Sequence, residues 1–317
     1  MSWKLFKFLV SVYPRANKRN ARVSRSFLIK KALFEIRKSN YLPFEDIIVE
    51  YNKNRAKSFE TMVEKPLYYF NPNKMPFPFK YRFLLLTSAL FNEKYRQIFY
   101  ALMMYSSVKR VLSVKSNLYF WNPGVIWRYC FSFLENRKIA YIHTCYYPLF
   151  KADLYYANSF IFQVYGLDEH EHVIVTPEHK FVDEDAPINI YFTQLTNVPP
   201  PEKRLRSFAR YLQEKGNQKF RVYIHYLDRD KDLSRTELAD LVNVISRNKS
   251  MQNLSKNQLS FSADSSIGFE LLSLGIDHYI FYKEKESRPE LNEYAKKSQQ
   301  FISLEEDFAS ICERFLI

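Results

Sequence analysis

The sequence predicts an α/β chain of two domains, each a parallel sheet with helices on its faces. Three observations carry that expectation. The chain has 317 residues, enough for two full cores. Its composition, 47% hydrophobic and 17% aromatic, is that of a packed globular protein. Beyond residue 185, short apolar runs alternate with helical patterns in the manner of βαβ units.

In the C-terminal half the expected strands are Asn189–Thr193, Lys219–His225, Gln258–Ser262, Asp277–Tyr282 and Gln300–Ser303. A proline-led helix from Pro199 to about Glu214 follows the first strand. Further helices are expected over Arg235–Asn248, Ser266–Ser273, Pro289–Lys296 and Glu305–Phe315. These five βα repeats read as one Rossmann-like domain, 185–317. The acidic, proline-bearing stretch from Glu178 to Ile188 reads as the linker before it.

The preceding domain, 32–180, is less regular. Strands are expected at Asp46–Glu50, Val108–Val114, Asn117–Trp121, Lys138–His143 and Ala152–Tyr156. One or two helices are expected over Tyr81–Tyr105, with others at Val125–Asn136 and Phe160–Gly166, and an irregular loop at Pro66–Phe79. Parallel strands would place Asn122-Pro123-Gly124 and His143-Thr144-Cys145 on one rim of a sheet.

Residues 1–31 stand apart. Trp3, Leu5, Phe6, Phe8, Leu9 and Val10 alternate with Lys4 and Lys7, a basic run follows, and the first acidic residue is Glu35. That is the make-up of an interfacial anchor on an anionic leaflet, or of an ordinary first helix with a solvated basic face. Lys and Arg exceed Asp and Glu by 47 to 34, a net charge of +13, which suits an anionic partner or reflects a solubility bias. No recognisable nucleic-acid module accompanies the charge. There is no run of about 20 apolar residues to span a membrane and no signal-peptide cleavage pattern. Cys130, Cys145 and Cys312 form neither a metal-ligand spacing nor an even framework, which fits a reduced cytoplasmic protein.

Only 5 residues are glycine, and neither GxGxxG nor GxxxxGK[ST] occurs. A phosphate site must therefore use a helix N-terminus and side chains. The stretch from Leu259 to Ile276 offers one: a strand runs into Asp264-Ser265-Ser266, a helix follows, and Gly275 closes it. Ser265 and Ser266 stand at the N-cap, and Glu270, one turn on, is placed to hold a ribose diol. Two further polar strand ends belong to the same rim, Thr193-Gln194-Leu195-Thr196-Asn197 and His225-Tyr226-Leu227-Asp228-Arg229-Asp230. There His225 can donate to a leaving phosphate oxygen, with Arg229, Gln194, Thr196 and Asn197 around it. Taken singly, His225 also reads as a satisfied strand-end histidine and Ser265 as a cap only. His170-Glu171-His172 with His179 lacks the spacing of a helical metal motif and reads as a solvated turn, so no metal site is expected.

Two such domains, a histidine after the second strand of the C-terminal one, and the run Ser-Ser-x-x-x-Glu-Leu-Leu-x-x-Gly-Ile resemble GT-B glycosyltransferases. The nearest resemblance is to the metal-independent bacterial sialyltransferases and polysialyltransferases of capsule or lipooligosaccharide synthesis. It implies two Rossmann-like domains facing a central cleft, and a nucleotide-sugar donor, CMP-sialic acid favoured. It also implies His225 on the donor phosphate and Ser265 with Ser266 capping it. Tyr226 stands where that family has proline, and no Asp/Glu-Asp-Gly motif occurs here, so the general base must come from elsewhere. Asp153 and His143, near strand ends of the N-terminal domain, are the candidates. The acceptor would be a cell-surface glycan or glycolipid. The enzyme would be cytoplasmic, peripheral at the inner membrane face, and a homo-oligomer is allowed for. Rival readings are a UDP-sugar, GDP-sugar or polyol phosphate donor, a transferase that has lost activity, and a non-enzymatic basic protein that binds nucleic acid or membrane.

Overall fold

The expected alternation takes the form of two six-stranded sheets in which every pairing is parallel. The structure, a computed structural model, describes residues 3–317 apart from 17–22, 35–44, 51, 72–80, 114, 122–125, 146, 177–187, 193–197, 217–219, 225–240, 242–243, 247–253, 264, 286–287 and 316. The chain divides into two units. The first holds Met1–Ala157, Tyr165–Ile174 and Glu286–Glu290; the second holds Asn158–Val164, Val175–Lys285 and Leu291–Ile317. The sequence suggested one passage near residue 180, but residues 158–164 already belong to the second unit and 286–290 return to the first. Most of the expected linker lies outside the described residues.

In the first unit the helices are α1 (Trp3–Val12), α2 (Arg25–Phe34), α3 (Lys53–Val63), α4 (Arg82–Ser88), α5 (Glu93–Val111) and α6 (Ile126–Tyr129). The strands are β1 (Asp46–Val49), β2 (Tyr68–Phe70), β3 (Asn117–Trp121), β4 (Lys138–Ile142), β5 (Leu154–Ala157) and β6 (His172–Ile174), in the spatial order β2-β1-β3-β4-β5-β6. Helix α3 is capped by Asn52, whose Oδ1 accepts from the Asn54 N–H at 2.9 Å. It presses Phe59 into a ring of Tyr119, Trp121, Tyr141 and Tyr156, with centroids 5.8 to 6.2 Å away.

Two expectations fail here for physical reasons. Val108–Val111 is the last turn of α5, not a strand. Ala101, Met104, Val108 and Val111 recur at helical spacing and are all buried, and that burial outweighs the β preference of valine. Tyr68–Phe70, inside the expected irregular loop, pairs with β1. Of the two readings of residues 1–31, the described part, 3–16 and 23–31, has the packing of an ordinary first helix rather than of an unattached anchor. Leu5, Leu9 and Val12 are buried on α1, which packs on α5, while Phe6 meets Phe99 and Phe8 meets Phe133. Leu28 and Ala32 of α2 join a core with Leu85, Ala89, Tyr100, Met103 and Met104. The apolar stripe that suggested an anchor is thus largely consumed inside the unit.

The second unit holds α7 (Ser159–Tyr165) up to Val164, then β7 (Ile188–Phe192), α8 (Pro200–Glu214), β8 (Phe220–Ile224), β9 (Val244–Ser246), β10 (Leu259–Ala263), α9 (Ser266–Ser273), β11 (Asp277–Tyr282), α10 (Pro289–Lys297), β12 (Phe301–Ser303) and α11 (Phe308–Phe315). The strand order is β12-β11-β10-β7-β8-β9. Strand β9 replaces the end of the helix expected over 235–248, because the short Val-Ile-Ser run extends the sheet beside β8. Helix α8 buries Leu205, Phe208, Ala209 and Leu212, one apolar stripe at 3.6-residue spacing. Phe208 sits among Phe261, Phe281 and Phe308 at 5.0 to 5.6 Å, and burying each such ring is worth roughly 1.5–3 kcal/mol. Among the described residues no helix is long and apolar enough to cross a membrane.

Candidate functional site

Strand order locates the ligand corner of an open parallel sheet. In the second unit the chain runs from β7 outward through β8 and β9, then returns to the other side of β7 as β10. The reversal falls between β7 and β10, and a crevice opens beyond the carboxyl ends of strands at such a point. Ser265 and the start of α9 lie there. Ser265 has an extended backbone (φ −137°, ψ 143°), and its Oγ accepts from the Ile267 N–H at 3.4 Å. It is buried and committed to the cap, whereas Ser266 is half-buried. Ser266 and Glu270 stand four residues apart on one face of α9, and Glu270 is half-buried too. The two serines that the sequence treats alike therefore have different environments. Gly275, with φ +74°, ends the helix in the left-handed conformation that glycine tolerates.

Helix α9 is fixed from several sides. Ile267 and Leu271 enter a core with Tyr191, Tyr223, Leu254 and Ile276. Phe269 stacks on Phe160 at 5.1 Å. Gly268 lets the helix rest on His278 of β11, since a Cβ at 268 would stand 2.8 Å from His278 Nε2. His278 is buried between two serines of β10. The Ser260 hydroxyl donates to the Asp277 carbonyl at 3.1 Å and lies 2.8 Å from Nδ1. That network makes Nδ1 the protonated nitrogen, donating to Ser260, and leaves Nε2 to accept from the Ser262 hydroxyl at 2.8 Å. Burial pushes the imidazole down to about 3, so it is neutral at ordinary pH. His278 is a structural support for the corner, and nothing in its own strand marks it as such.

The first unit has its own reversal, between β1 and β3. A buried ion pair bridges the two strand ends. Glu50, directly after β1, accepts from Arg128 Nη2 at 2.9 Å through Oε2 and from the Asn52 N–H at 3.1 Å through Oε1. Arg128 Nη1 donates to the carbonyl of Trp121, the last residue of β3, at 2.6 Å. His143 follows the adjoining strand β4. Its ring stacks on Tyr141 at 5.9 Å and lies 5.8 Å from Trp121. The residue is half-buried, but its Nδ1 lies beneath the surface and has no hydrogen-bond partner. Burial, then the nearby charges of Arg55 and Arg128, hold its pKa down at about 4. His143 is thus a neutral, under-solvated base beside cationic groups. Sequence reasoning assigned no role to Glu50, Arg55 or Arg128. The available signals were a carboxylate ending an otherwise apolar strand and an arginine inside the aromatic run Ile126–Phe131.

Asp153 does not join this corner. It precedes β5 and accepts from the Lys138 N–H at 2.7 Å, with Lys138 Nζ at 3.3 Å. Lys138 begins β4 and His143 follows its end, so the two candidates lie on opposite rims, separated by five residues of strand, about 16 Å. Gln194, Thr196, Asn197, His225 and Arg229 lie outside the described residues. The strands leading to them and to Ser265 are neighbours in the order β10-β7-β8, which is the adjacency the sequence reading requires. His172 Nδ1 lies 2.7 Å from the His170 carbonyl, and Glu171 accepts from Arg137 at 2.8 Å. Among the described residues no group of three or more His, Cys, Asp or Glu is placed to hold a metal ion.

No family model matches the chain, and no curated protein matches it either. The chemistry must therefore be argued from the two corners themselves. A hollow of about 310 Å³ opens at the ends of β11 and β12, lined in part by Tyr282, Lys283, Lys296 and Ser303. It lies on the same rim as Ser265, one strand further out. Among the described residues the corner in the second unit offers a hydroxyl, helix-end donors and the Glu270 carboxylate. The corner in the first offers a neutral imidazole in a cationic field.

Proposed function

We propose that the chain is a metal-independent GT-B-type glycosyltransferase whose second unit binds the nucleotide of an activated sugar, CMP-linked in the favoured case. One observation carries the reading: the capped N-terminus of α9, with Ser266 and Glu270 on one face, lies at the strand-order reversal of a six-stranded parallel sheet. Ser266 and His225 hold the departing phosphate, and Glu270 holds the ribose. His143 is assigned the acceptor proton in place of Asp153. Burial first, then the charges of Arg55 and Arg128, depress the imidazole, and an anionic acceptor beside Arg55 would offset the charge part. The acceptor hydroxyl attacks the anomeric carbon as the bond to the nucleotide phosphate breaks, and configuration inverts.

Calorimetric titration of the full chain with CMP, UDP and GDP tests this. CMP should bind, and Ser266→Ala should weaken it about tenfold, the size of one lost hydrogen bond to a charged group. Absence of binding by all three nucleotides refutes the reading. Preference for UDP or GDP keeps the corner and changes the donor.

A further inference from the structure

We infer that the helical layer of the first unit docks on an anionic membrane surface through α2 and α4, not through the apolar face of α1. Helix α4 carries four apolar residues in a row, Phe83 to Leu86, so apolar side chains fall on more than one of its faces. Leu85 turns inward, while Phe83, Leu84 and Leu86 of α4 and Leu90 in the turn after it are exposed. Phe83 is 73% exposed and Leu90 81%. A helix with apolar residues on both faces ordinarily has something covering each. Helix α2 packs on α4 and exposes Ile29 and Leu33. The patch reaches α1 through rings: Phe91 stacks on Phe99 at 5.1 Å, Phe99 meets Phe6, and Phe6 stacks on Trp3, itself 65% exposed.

Charge selects the occupant. Residues 1–34 carry nine Lys or Arg and no acidic residue, and residues 81–111 carry five against Glu93 alone. That excess equals the whole chain's +13, so the remainder of the sequence is balanced. The cations sit among the exposed rings: Lys7 Nζ lies 5.4 Å from the Trp3 ring and Lys94 Nζ 5.7 Å from the Tyr95 ring. Arg25 and Lys30 are exposed on α2. Aliphatic residues standing out between cations suit the boundary between acyl chains and anionic headgroups. A nucleic-acid backbone would use the cations and leave Phe83, Leu86 and Leu90 uncovered.

The inference does not rest on the transferase reading, and its test leaves that reading untouched. Full-length protein is floated with phosphatidylcholine vesicles, with and without phosphatidylglycerol. It should float with the anionic vesicles and much less with the neutral ones. Phe83→Ser combined with Leu90→Ser should lower partitioning about tenfold or more, from lost apolar burial. Both side chains are largely in water, so the unfolding midpoint should stay put. Failure to float with anionic vesicles, or undiminished flotation of the double variant, overturns the assignment. So does a light-scattering change from dimer to monomer in that variant, which would make the patch a contact between copies. RNA binding that competes with the vesicles and survives the double substitution also overturns it.

Discussion

The Glu50–Arg128 pair allows a worked test of the first-unit corner. Both side chains are essentially out of solvent, at 0% and 2%, and 2.9 Å apart. Removing either partner leaves the other charged in a medium that solvates it poorly. Arg128→Met removes the guanidinium that faces Glu50 and deprives the Trp121 carbonyl of its donor. Glu50→Gln removes the negative charge that faces the buried guanidinium. Each should cost about 3–5 kcal/mol, the range for breaking a buried pair. At roughly 2–4 °C per kcal/mol that is a fall in Tm of about 10 °C. Substituting both removes both charges, so the double variant should recover several kcal/mol relative to the sum of the singles. The assay is urea unfolding followed by tryptophan fluorescence. All three tryptophans, Trp3, Trp121 and Trp127, belong to the first unit, so the signal reports on that unit alone. Single variants within about 1 kcal/mol of the parent, or a double equal to the sum, would refute the buried pair. The same Arg128→Met protein should show His143 titrating higher, since Arg128 is among the charges that depress it.

Three other outcomes are expected. The folded-state pKa of His278 lies near 3, against 6.5 for a free imidazole, so its contribution to stability is full above pH 6.5 and lost as pH falls toward 3. By about pH 5 the loss should be about 2 kcal/mol, and its imidazole protons should not shift above that pH; an NMR titration midpoint near 6 would refute the buried network. Gly268→Ala should lift α9 from His278 and cost about 1–3 kcal/mol, measured by urea unfolding with far-ultraviolet circular dichroism. Ser265→Ala should cost about 1 kcal/mol as a lost cap, while Ser266→Ala should barely change stability yet weaken nucleotide binding; equal stability losses would mean that the cap is misassigned.

Much of the second unit was legible because its boundaries carry local chemistry. Pro200 opens α8, Ser265 caps α9, and Gly275 closes it at φ +74°. What stayed hidden depended on partners distant in sequence. His278 is one imidazole in an apolar strand, and only the parallel register that sets Ser260 beside it explains how it is satisfied. Three-residue strands such as β2 and β9 have too few residues for a period and are defined by the strand beside them. Asp153 turned on two residues. A strand beginning at Ala152 would carry it within the sheet. Beginning at Leu154, the strand leaves it at the amino end, where Lys138 takes it up.

The two reversals share an architecture and differ in chemistry, and the difference follows from what seals each one. In the second unit the described donors nearest the strand end are the Ser266 hydroxyl and the amides that open α9, with Glu270 one turn on. Such donors stabilise a phosphate as negative charge develops on it, without holding a fixed counterion that must later be displaced. In the first unit an internal ion pair already joins β1 to β3, so Glu50 is occupied and unsuited to proton transfer. The group left over is His143, kept neutral by burial and by the same arginine that occupies Glu50. An anion beside it would offset the part of that shift due to Arg55 and Arg128, the larger part being burial.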